Sequence, residues 1–150
     1  MSKLTVNEAN GDFTHVLVLS AQDIIDSGTS QTVWGQIPAG GAVDVAFAVE
    51  SVAIAGATDI TLEVGTGTDD DTLIASFDVD GNNGATKYNT GTALAQAAGT
   101  TTVKAGAAPA EGGAAAVNLI YKFGGTVANI TDGEVIIGVR VFDPLRFSNS

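Results

Sequence analysis

From Val43 the chain alternates with a period of two. Val43, Val45, Phe47 and Val49 fall on one side, and Asp44, Ala46, Ala48 and Glu50 on the other, the pattern of a strand with one buried face. A second alternation, Ile60, Leu62 and Val64 against Asp59, Thr61 and Glu63, ends at Gly65, and a third sets Val117, Leu119, Tyr121 and Phe123 on one face. The Val43 and Val117 sets are expected to belong to one core, or to a seam running from the core into an interface. EVIIGVRVF, Glu134 to Phe142, is apolar enough to lie centrally in a sheet.

Shorter elements fill the gaps. HVLVLS, His15 to Ser20, reads as a strand, and Ser20 followed by Asp23 marks a helix start of about one turn. Gln31 to Ile37 is a strand stopped by Pro38, and Pro-Ala-Gly-Gly then turns the chain. Asp70 to Ile74 reads as a helical turn with carboxylates near its N-terminus, leading into a strand over Ala75 to Val79. Asn129 to Gly133 is a turn, and Asp143 and Pro144 end the last strand. The fold predicted is all-β, an antiparallel sandwich of jelly-roll type. Its parts are an arm over residues 1–12, a body over 13–143 with a long Ala/Gly-rich loop at 81–116, and a tail over 144–150.

Composition narrows the chemistry. At 150 residues the chain has the size of one domain. It contains no cysteine, which excludes disulfides, thiolate zinc sites and thiol nucleophiles. Six basic residues against seventeen acidic ones give a net charge of −11, opposing the phosphate neutralisation that nucleic-acid binding needs. No apolar run approaches the roughly 20 residues of a membrane span, and the N-terminus lacks an export signal's apolar stretch. A soluble protein with neither nucleic acid nor membrane as partner is expected.

No catalytic pattern emerges. His15 is the single histidine and opens an apolar strand, G-x-S-x-G is missing, and Gly65 and Gly67 are followed by phosphate-repelling aspartates. The acidic residues Asp69, Asp70, Asp71, Asp78 and Asp80 are the candidate calcium ligands. An EF-hand loop begun at Asp78 fails where it needs glycine and glutamate, because Asn83 and Asn89 stand there. Turn chemistry, in which Asp and Asn bond their own backbone, explains the same residues without a metal. The expectation is therefore a protein without catalytic residues or cofactor, calcium being the one candidate.

ITLEVGTGTDDDTLIASFDVDG after PAGG and a long alternating strand, and NITDGEVIIGVRVF at the end, resemble a group of small virion structural proteins of tailed bacteriophages. The resemblance runs from about Val16 to Phe142 and rests on Gly65, Asp69 to Asp71, Leu73, Ile74, Thr131, Gly133 and Glu134. It implies a non-enzymatic head decoration or cement protein on the outer surface of the capsid, made in the host cytoplasm. The implied partners are the major capsid protein and further copies of the chain as a homotrimer. The alternative is a tail or fibre module that binds a host glycan through Asp78 to Gly84 and Tyr88. The Ala/Gly-rich segment and the tail fall outside the resemblance.

Overall fold

The computed structural model describes residues 3–6, 13–39, 41–80, 86–88, 93–94, 103–104, 110–111 and 116–142. The structure is built from two antiparallel sheets around one core. The first half of the chain gives β1 (Lys3–Val6), β2 (His15–Ser20), α1 (Ala21–Ser27), β3 (Thr32–Ile37), β4 (Ala42–Ala55), β5 (Thr61–Thr66) and β6 (Asp69–Asp78). Four short strands follow, β7 (Thr86–Tyr88), β8 (Ala93–Leu94), β9 (Val103–Lys104) and β10 (Ala110–Glu111), and then the long β11 (Val117–Gly124) and β12 (Asp132–Phe142). The long sheet has the order β1-β2-β12-β4-β10, with β7 also on β4; the short sheet has the order β3-β11-β5-β6; β8 pairs with β9.

Leu17 and Leu19 of β2, Val135, Ile137 and Val139 of β12, and Ala46 and Ala48 of β4 face Leu62 and Val64 of β5 and Leu119, Tyr121 and Phe123 of β11 in a single cluster. The period of two thus meets the core in both sheets, and burial of these side chains supplies most of the drive to fold. Alanine at 46 and 48 allows close approach of the two layers.

That arrangement corrects the phase expected for β4. Val45, Phe47 and Val49 lie on the outer face, half-buried, while Ala46, Ala48 and Glu50 are buried inside; of the expected set only Val43 reaches the core. The physical cause is a bulge. Register runs Val45↔Arg140 and then Val43↔Val141, so two residues of β4 match one of β12 and the faces exchange. The outward Phe47 ring lies over Gly138, its partner across the ladder, and packs edge-on to Phe13 with ring centroids 4.7 Å apart.

Three local expectations also change. The helix at Ser20 is seven residues long, because Ser20 Oγ accepts from the Asp23 amide while Asp23 accepts from the Ser20 amide, and Gly28 closes it with bonds to the Ile24 and Ile25 carbonyls. Asp70 to Ile74 is strand and not a helical turn: β6 starts at Asp69, paired to Thr66 through a tight turn at Gly67 (φ +67°). Lys3–Val6, expected in an arm, pair with β2 along the edge of the long sheet. The loop expected at 81–116 contains β7 to β10, whereas its remaining residues up to 115, together with residues 143–150, lie outside the described residues.

Candidate functional site

The five aspartates singled out in the sequence divide between the two ends of β6. At its start, β5 advances two residues, 64 to 66, while β6 advances five, 69 to 74. The surplus makes Asp70 to Leu73 an irregular bulge beside Gly65, whose Cα is so close to the Asp69 and Asp70 backbone that no side chain fits there. On the outer face of the short sheet, Lys122 Nζ donates to Asp70 Oδ2 at 3.3 Å. Gln31 Nε2 donates to the Thr68 carbonyl at 3.0 Å and also reaches Asp70 Oδ1. Thr66 and Thr72 join hydroxyl to hydroxyl at 3.0 Å.

The charge at this end is crowded. Burial raises the pKa of Glu63, and Asp70 raises it further against the opposing pull of Lys122. Asp71 is raised chiefly by sharing a hydrogen bond with Asp69, with some help from burial.

At the other end, Asp80 Oδ2 accepts from the Ile60 amide at 3.1 Å, and Val79 N donates to the Ile60 carbonyl at 3.0 Å, which fixes the chain entering β5. Burial raises the Asp80 pKa, and its hydrogen bond to the Asp78 side chain adds to the effect. Glu50 approaches from β4: it is 1% exposed, Oε2 accepts from the Ile54 amide at 2.9 Å, and Oε1 has no hydrogen-bond partner among the described residues. Asp59 in the same loop region takes the Thr126 hydroxyl at 2.6 Å and the Thr126 amide at 3.1 Å, bonds that lower its pKa.

Among the described residues no three of these side chains converge on a point that could hold a metal ion. Asp69, Asp70 and Asp71 are separated by the length of β6 from Asp78 and Asp80; in the first set Asp70 engages the Lys122 and Gln31 side chains, and in the second Asp80 fastens the Ile60 amide. Residues 81–85, which complete both the broken EF-hand spacing and the proposed glycan loop, lie outside the described residues; Tyr88 is placed only as the β7 residue opposite Phe47. His15 is half-buried with Nδ1 2.9 Å from Thr14 Oγ1, which in turn accepts from the Val141 amide at 2.8 Å; burial lowers its pKa.

Two participants escaped the sequence reading. Glu50 sat on the polar side of an alternating strand, and the signal of its burial was the company of Ala46 and Ala48, small residues on the face where the layers meet. Lys122 lies 52 positions from Asp70, a separation that carries no local signal. Compared with known proteins, the chain matches no family model, and neither a curated protein nor a solved structure matches it.

Proposed function

We propose that the protein is a virion structural protein of a tailed bacteriophage, a head decoration or cement protein that joins capsid subunits from the outer surface of the shell. The observation that carries this reading is the use made of the acidic segment. Asp69 to Asp71 open β6 as a bulge beside Gly65, held by Lys122 and Gln31, so the residues behind the resemblance to such proteins shape a surface. A body of two stacked sheets, of jelly-roll type in this reading, supplies stiffness, and the net charge of −11 suits a position away from packaged DNA. In this role the chain acts as a homotrimer, the major capsid protein is its partner, and residues 1–12, 81–116 and 144–150 extend the contact.

The test is made on particles. Mass spectrometry of purified virions is expected to find the chain in fixed ratio to the major capsid protein, and a capsid reconstruction to show its density outside the shell. Particles that lack the chain, or density confined to the tail, would overturn the proposal. Calorimetry with calcium addresses the acidic residues separately: weak or absent heat, and a fold that survives chelation, are expected.

A further inference from the structure

We propose that Thr14 and His15 form a proton-operated latch between the start of β2 and the end of β12. Register places His15 opposite Val139 of β12 and Val6 of β1, and the alternation that buries Leu17 and Leu19 turns its ring toward the space between the layers. The short sheet closes on it there: a Cβ at Gly35 of β3 would stand 3.7 Å from His15 Cδ2 and 3.2 Å from Leu119 Cδ1. Thr14 ties this end together. Its amide donates to the Val139 carbonyl at 3.0 Å, and its Oγ1 accepts from the Val141 amide at 2.8 Å.

The hydroxyl proton of Thr14 decides how the latch stands. Two acceptors are in reach, His15 Nδ1 at 2.9 Å and the Val139 carbonyl at 3.4 Å. The carbonyl already takes the Thr14 amide, so the shorter bond to the ring is the better one. A ring that accepts at Nδ1 is neutral, with its proton on Nε2. Protonation puts a second N–H at Nδ1. The hydroxyl must then turn its hydrogen to the longer Val139 contact and accept from the ring as well as from the Val141 amide, which weakens the bond to Val141. Among the described residues the positions that surround the ring, Val6, Gly35, Leu119 and Val139, are uncharged. The charged residues of those strands stand elsewhere: Lys3 opposite Val18, Glu134 opposite Ser20, Arg140 next to Val139 and so on the other face, Asp132 beyond Glu134 opposite Ala55, and Lys122 bonded to Asp70 outside the short sheet. None offsets a charge on the ring, and burial, which lowers its pKa, works in the same direction. Acid therefore opens the latch, and the β1–β2 ladder loosens from the Val6 end.

The inference stands apart from the virion role and is tested by NMR on the purified full-length chain, where the one histidine gives a single imidazole titration. Its midpoint is expected below the ordinary value of about 6.5. The Val141 amide proton, which reports the bond to Thr14 Oγ1, is expected to shift upfield with the same midpoint. Protection of that amide from hydrogen exchange, corrected for the intrinsic pH dependence, is expected to fall about tenfold between about pH 7 and about pH 5. In His15→Gln, whose side chain takes up no proton, both Val141 responses are expected to vanish. A wild-type midpoint at or above about 6.5 overturns the proposal, as does a Val141 signal that ignores the imidazole titration, and these two readings decide the matter even where His15→Gln fails to fold. Val141 responses that persist in a folded His15→Gln would equally overturn it.

Discussion

A Cβ at Gly65 would stand 1.9 Å from the Asp69 carbonyl oxygen and 2.5 Å from the Asp70 carbonyl carbon, both main-chain atoms that cannot swing aside. Gly65→Ala is therefore expected to cost about 3 kcal/mol, the upper end of overpacking effects, in urea denaturation; a loss under about 1 kcal/mol would mean that the β5–β6 hairpin moves freely away. Gly138 presents the contrasting case. The atom nearest its Cβ would be Phe47 Cε1 at 1.9 Å, part of a ring and not of the backbone. Gly138→Ala is expected to cost about 1–3 kcal/mol alone and much less in a Phe47→Ala background, so that the double-mutant cycle shows clear coupling. Phe47→Ala by itself is expected to cost about 1–2 kcal/mol, because the ring is half-buried, against about 3–5 kcal/mol for the fully buried Phe123. Equal losses at the two positions would contradict the outward placement of Phe47.

Among the elements, α1 depends most visibly on one side chain. Ser20 caps it by accepting from Asp23 N at 3.2 Å, and Asp23 Oδ2 returns the bond to the Ser20 amide at 2.9 Å. The last turn is tied to the short sheet by a 2.5 Å contact between Ser27 Oγ and Tyr121 OH. Ser20→Ala is expected to lower stability by about 1 kcal/mol, read as a shift of the denaturation midpoint at unchanged slope; no shift would show that packing of Ile24 alone holds the helix. This capping pair was legible in the sequence because both partners lie three positions apart. The strands β5 and β11 were legible for a similar reason, since each carries its own alternation, and β2 and β12 because each is a short, largely apolar run. The phase of β4 was not: larger side chains were assumed to point inward, while the layer spacing called for alanine and a bulge at Val141 exchanged the faces. The start of β6 misled through its own chemistry, for three aspartates favour turns and helix starts locally, and only pairing with Thr66 and the distant Lys122 makes them strand. The same dependence on distant partners hid most of the candidate site.

At the scale of the whole molecule, seventeen acids on a chain with six basic residues leave most carboxylates without a cation, and several are raised in pKa as a result of burial or of one another. Glu63, Asp71 and Asp80 bind their protons more tightly folded than unfolded. Their contribution to stability is complete below the ordinary carboxyl value of about 4 and is lost as pH rises through the folded value. Asp59, lowered by Thr126, works the other way, its contribution present above the ordinary value and lost as pH falls through the folded one. His15, lowered by burial, likewise contributes above its ordinary range and loses that as it becomes protonated. Neutral replacement separates these opposing effects. Asp80→Asn preserves an acceptor for the Ile60 amide while removing the charge, and Glu63→Gln does the same beside Asp70. Each variant is expected to be more stable than wild type at pH 7, with the advantage shrinking toward zero as pH approaches 4. Added salt, which screens the surplus negative charge, is expected to raise the wild-type melting temperature at pH 7 more than that of the two variants combined. Paired denaturation curves at the two pH values decide the matter: an advantage that stays constant with pH would mean that the amides improve packing or hydrogen bonding, and that the crowded carboxylates exert no titratable strain on the fold.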